Sequence, residues 1–188
     1  MWKLIPRSSV IPNEIAPHEL ARLTIEEFVT VRAIIESPSK PTGVLASRAG
    51  TFVTLRTLDG QLRGCIGTVE AIRANVAEEI IHNAIMAATS DPRFAPVTKE
   101  ELSCLSYGVD VLSAPEHSEG PEDLDPSRFG VIIETLDHSR RGLLLPLIDG
   151  IETIEQQWVA VHHKAGIRVG ERVTIERFTV TRFGKLTG

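Results

Sequence analysis

The residues with the most chemical potential in this chain lie in one short stretch, Leu62-Arg63-Gly64-Cys65-Ile66-Gly67. A cation beside a cysteine lowers the thiol pKa and favours a nucleophilic thiolate, while Gly64 and Gly67 give a substrate or a partner's backbone room to approach. The same residues also read as structure alone. Cys65 would then be a small buried hydrophobe, and the glycines would mark bulges or packing beneath a helix. Residue types leave both readings open. No His-Asp or His-Asn pair can be assigned to Cys65 from the sequence, so no catalytic triad is drawn.

Side-chain parity says how this stretch must be held. Thr51 to Thr57 is rich in β-branched and aromatic residues, and Asp59-Gly60 divides it from Leu62 to Val69, the pattern of a hairpin with a two-residue turn. Successive side chains of a strand point to opposite faces. Val53, Leu55, Leu62 and Ile66 are therefore expected in the core, with Phe52, Thr54, Arg56, Arg63, Cys65 and Gly67 on the other face. Counting back from a two-residue turn sets Arg56 opposite Arg63 and Thr54 opposite Cys65. Like charges placed so destabilise a hairpin by ~0.2 to 1 kcal/mol, so the pair calls for an anionic neighbour, either an internal Asp or Glu or a ligand.

Other chemistries find less support. His162 and His163 are adjacent, so on a helix they diverge by about 100°. His18, His82, His117 and His138 show no His-Glu-x-x-His spacing, and no metal site is drawn. There is no Cys-x-x-Cys, no Walker-type loop and no Gly-x-Gly-x-x-Gly, so no cofactor is implied. A formal net charge of −5 argues against nucleic-acid binding by bulk electrostatics. Two cysteines, Cys65 and Cys104, fit a reducing compartment as free thiols, and no apolar run approaches the ~18 residues of a membrane span. The expected location is the cytoplasm. Arg140-Arg141 read as a solvated loop pair that could hold an acidic partner.

With 188 residues the chain can bury a full core. Residues 1–16 read as an extended arm rich in proline, and 17–188 as a single domain. Helical periodicity runs from Pro17 to Ile35, from an Asn75/Glu78 capping box to Asp91-Pro92, and from Thr153/Gln156 to Gly166, with a short turn at Thr98/Glu101. Further strands are expected at 105–111, at Val131-Ile132-Ile133 paired with Leu143-Leu144-Leu145, and at 173–183. Residues 115–127 read as a polar loop. Hairpin-linked strands with inserted helices give an α+β fold, a mainly antiparallel sheet flanked by helices.

Phe52-Val53-Thr54-Leu55, then Leu62-Arg63-Gly64-Cys65-Ile66-Gly67-Thr68, then Asp91-Pro92-Arg93-Phe94 and Thr98-Lys99-Glu100-Glu101-Leu102 follow one another in an order that resembles the AMMECR family. Arg141-Gly142-Leu143-Leu144-Leu145-Pro146, Trp158 and Lys164-Ala165-Gly166 continue the match, which spans Pro17 to Gly184. The resemblance implies a second, smaller α+β subdomain, with the Arg-Gly-Cys-Ile-Gly motif beside the cleft between the two. It also implies protein A of the AmmeMemoRadiSam system, with a Memo-like, dioxygenase-like protein and a radical S-adenosylmethionine protein as partners. It implies no known reaction. Arg56, Arg63, Gly64, Ile66, Gly67 and Arg93 are the candidate ligand-binding residues, and Cys65 is the candidate nucleophile or covalent carrier.

Overall fold

The computed structural model describes residues 11–184. Three α-helices and eight strands follow one another as α1 (Pro17–Val31), β1 (Thr51–Thr57), β2 (Leu62–Gly67), α2 (Val76–Thr89), β3 (Leu105–Leu112), β4 (Glu116–His117), β5 (Gly130–Thr135), β6 (Arg141–Leu144), α3 (Ile154–Ala165), β7 (Val173–Phe178) and β8 (Val180–Phe183). They make two four-stranded sheets, ordered β2-β1-β3-β8 and β4-β7-β5-β6. The fold is α+β, with antiparallel pairing of β1 to β2 and β3, and of β5 to β6 and β7. The backbone groups into two compact units, one running to Val111 and resumed at Arg182, the other Leu112–Thr181.

In the first unit α2 packs on β1 and β2, and α1 packs against α2. Leu20, Ile25, Val53, Leu55, Val76, Ile80, Ala84 and Val109 are its buried centre. Asn75 caps α2 by accepting the Glu78 N–H, as its spacing predicts. Buried alanines at 84, 87 and 88 keep the helix slim, and beneath it Gly64 lets the Ala87 carbonyl approach so closely that a Cβ there would stand 2.4 Å from the oxygen. The first helix is shorter than its periodicity predicts. It stops at Val31, where Arg32 turns left-handed, and Ala33 and Ile35 are buried from the irregular segment that follows the helix. Of the expected arm, residues 1–10 lie outside the described residues, while Ile11 is buried in the core.

The second unit closes around Val131, Ile133, Leu144, Val161 and Ile175. Its helix α3 carries the full Thr153/Gln156 capping box and ends at Gly166 in the left-handed region. The expected polar loop holds a little more order than its composition predicts, with β4 and a 3-10 turn at Pro121–Asp123. The single final strand expected over 173–183 divides at Thr179, and its halves serve different sheets. Arg140 and Arg141 are not a free loop pair. Arg140 donates to the Gly166 carbonyl at the end of α3 and pairs with Glu171, and Arg141 lies 3.8 Å from Glu176.

Candidate functional site

The β1–β2 hairpin forms with a different turn from the one its sequence predicts. Thr57 N–H bonds to the Gln61 carbonyl, so Leu58, Asp59 and Gly60 make a three-residue loop in which Gly60 takes a positive φ of 87°. Thr54 does pair with Cys65, and Val53 with Ile66, but the register slips between Leu55 and Arg56. The extra residue is Arg63. Arg56 therefore faces Leu62 instead of Arg63, and past this bulge the parity of Leu62 is reversed. Val53 and Leu55 are fully buried and Ile66 packs against the same core, while Leu62 is only half-buried and stands outside it. Gly64, paired with Leu55, faces α2 with these residues.

Three loosely related surfaces thus come from one motif. Cys65, Thr54, Phe52 and Gly67 share the face turned away from α2, with the Phe52 ring lying over Gly67 so that no Cβ fits there. Gly64 and Ile66 lie on the α2 side and do not reach that face. Arg63 leaves the ladder, and its guanidinium makes a bidentate pair with Glu101 at 2.7 and 3.1 Å. This is the anionic neighbour that the sequence called for, and it is internal. Arg56 donates to the Gly60 carbonyl at 2.7 Å, and among the described residues no carboxylate pairs with it.

Asp91 and Arg93 hold Cys65 by its backbone. β2 is an edge strand, so the N–H and C=O of Cys65 point away from β1. The Asp91 carboxylate accepts that N–H at 2.9 Å, and an Arg93 nitrogen donates to that carbonyl at 3.3 Å. The two side chains are themselves joined by bonds of 2.7 and 2.9 Å. A rigid ion pair has replaced a neighbouring strand. The Asp91 side chain is 2% exposed and that of Arg93 53%, so one end of the clamp is anchored and the other is presented to solvent. The guanidinium holds the Asp91 carboxyl well below the usual carboxylate range, and the Cys65 N–H adds to this. Arg63 likewise lowers Glu101. The Phe94 ring lies 5.8 Å from the Arg63 guanidinium and 5.5 Å from that of Arg93.

The thiol itself is quiet. Burial pushes its pKa above the ordinary value, and this outweighs the hydrogen bond with Thr54 at 3.3 Å and the charge of Arg93, which pull the other way. Cys65 and Cys104 are both free. A buried polar network then fixes the exit from the motif. Asn83 donates to the Thr51 carbonyl and to the hydroxyls of Thr51 and Thr68, and the fully buried Glu79 accepts from the Thr68 hydroxyl and from the N–H groups of Ile72 and Arg73. On the same sheet face as Cys65, Asp110 stands opposite Phe52 on β3, is buried, pairs with Arg182 at 2.8 and 3.1 Å, and adds to the upward push on the thiol. Sequence reasoning did not select Asp91, Glu101, Glu79, Asn83 or Asp110. The readable signal was present for two of them: Glu79 and Asn83 are four apart on the apolar face of α2, where an acid and an amide need internal partners.

A family model described as AMMECR1 matches residues 18–183. The chain belongs to the AMMECR1 family. It is 47% identical over 161 residues to a protein of Thermotoga maritima, a match covering 85% of this chain and 91% of that one. A protein of Clostridium acetobutylicum is 45% identical over 167 residues, 87% of this chain but only 35% of that protein, so most of the clostridial chain lies outside the match. The crystal structure of an uncharacterised protein from Pyrococcus horikoshii superposes with a TM-score of 0.82 at 32% identity, covering 93% of this chain and 94% of the other. No helix among the described residues is long and apolar enough to cross a membrane.

Proposed function

We propose that this domain is a cytoplasmic binding or accessory module that holds a segment of a partner protein on the Cys65 face of the β1–β2 hairpin. The observation that carries this reading is the chemistry of that face. A guanidinium, Arg93, is half-exposed yet fixed by a buried carboxylate, which spares it the entropy a free side chain loses on binding. Arg56 lies on the same side of the hairpin with no carboxylate partner among the described residues. The two offer an acidic segment charge-assisted hydrogen bonds.

The alternative, Cys65 as a nucleophile or covalent carrier, is weakened by a thiol whose pKa is raised and whose hydrogen bond is to a threonine hydroxyl, which is no general base. A partner fits the clostridial relative, in which the matched domain is part of a much longer chain. By family resemblance the partners to try are a Memo-like, dioxygenase-family protein and a radical S-adenosylmethionine protein. The test is retention of each on immobilised domain carrying Arg56→Glu or Cys65→Ser. The module reading expects the arginine variant to lose retention with unchanged melting and the serine variant to keep it. Loss of the complex in Cys65→Ser alone would favour the covalent reading.

A further inference from the structure

The exposed face of α3 carries a row of side chains that is complementary to its own reversal. Glu155, Val159 and His163 are spaced four residues apart and form a single row along the helix. All are exposed, Val159 by 56%, and Gly150, Ile151, Gln156 and Ala160 complete a shallow, largely apolar groove of about 640 Å³ around the valine. The unit's own core does not use this row. It takes Val161 from another side of the helix.

We propose that this face joins two copies of the chain, α3 packing antiparallel against α3 about a two-fold axis at Val159. Polar complementarity singles out a second copy as the occupant, because a carboxylate accepts a hydrogen bond from an imidazole N–H. The row runs acid, aliphatic, imidazole, and reversing it sets Glu155 against the partner's His163 at both ends, with the two valines between. The acid and the imidazole lie about 6 Å along the helix axis on either side of Val159, the symmetry that a two-fold interface demands. Antiparallel packing also brings each acidic first turn, at the positive end of one helix dipole, beside the last turn of the other. The apolar part is small beside the ~800 Å² per partner of a standard interface, so association is weak and concentration-dependent.

Sedimentation velocity of the full chain from micromolar to millimolar concentration tests this. The wild type is expected to shift reversibly from monomer to dimer. Val159→Lys sets like charges on the axis at an exposed position outside the unit's core and is expected to abolish the shift with melting unchanged. Glu155→Lys is expected to weaken association by about tenfold or more, and the swap Glu155→Lys with His163→Glu to restore it. A wild type that stays monomeric throughout, association indifferent to Val159→Lys, or a swap that fails to recover what Glu155→Lys loses would each overturn the proposal.

Discussion

The β1–β2 and β5–β6 hairpins use the same device on one face and differ on the other. Each slides a glycine beneath a helix: a Cβ on Gly64 would meet the Ala87 carbonyl of α2 at 2.4 Å, and one on Gly142 would meet the Ala165 Cβ of α3 at 2.6 Å. On the second face β5–β6 places Ile132 opposite Leu143, both buried, whereas β1–β2 places Thr54 opposite Cys65 and, next to them, Arg56 opposite Leu62. The β5–β6 register is unbroken, and that of β1–β2 contains a bulge. The buried centre of the β5–β6 hairpin is thus aliphatic on both faces, and its charged pair, Glu134 opposite Arg141, stands at the end of the ladder. The centre of the β1–β2 hairpin instead carries buried or half-buried hydroxyl, thiol and charged groups that Asp91, Glu101 and Glu79 satisfy or position.

The sharpest way to break this comparison is at the shared glycines. Gly64→Ala forces a methyl against helix backbone and is expected to lose about 3 kcal/mol, with Gly142→Ala close behind because its obstacle includes α3 backbone. Urea unfolding checks both, and a loss under ~1 kcal/mol at Gly64 would show that α2 yields easily. Next comes Asp91→Asn, which removes the buried acceptor of the Cys65 N–H and leaves Arg93 without its counter-ion. Because Arg93 is half-exposed, the expected loss is discounted to about 2 kcal/mol at pH 7. The depressed Asp91 pKa gives this contribution a sign with pH: present in full above the unfolded value of ~3.9, and lost as pH falls from there toward the folded value. The gap between wild type and variant should accordingly narrow in unfolding curves taken near pH 3 relative to pH 7.

Smaller effects separate the two arginines. Arg63→Gln breaks a partly buried bidentate pair and is expected to cost about 1 to 2 kcal/mol, while Arg56→Gln is expected to stay within ~0.5 kcal/mol. Equal losses from both would mean that Arg56 is as internally committed as Arg63, and the hairpin would lose its one arginine without a described counter-ion.

Periodic elements were legible from residue pattern because they obey local rules: the caps of α2 and α3, the Val53 and Leu55 face of β1 and the β5–β6 hairpin. The expected Thr54–Cys65 pairing holds for another reason, since the extra loop residue and the bulge at Arg63 offset each other. What was not legible depended on a single residue of register or on distant sequence. Asp59-Gly60 is compatible with a two-residue or a three-residue loop, and the choice of the latter, together with the bulge, moved Arg63 out of line with Arg56 and Leu62 out of the core. Glu101, 38 residues from Arg63, had already been assigned a local capping role, which it also performs by accepting the Thr98 N–H at 2.8 Å. Parity named Cys65 correctly as lying opposite the core, yet no pattern in the strand could say that the Asp91-Pro92-Arg93 segment returns to clamp its backbone.

The claim on which the rest depends is that the Cys65 face binds rather than reacts. The pH dependence of iodoacetamide alkylation at Cys65, followed by mass spectrometry in a Cys104→Ser background so that the exposed second thiol does not interfere, tests it most directly. A half-maximal rate above the ordinary thiol value of ~8.5, with slow modification at pH 7, is the predicted result. A thiolate already formed and rapidly alkylated at pH 7 would contradict it and make Cys65 a nucleophile.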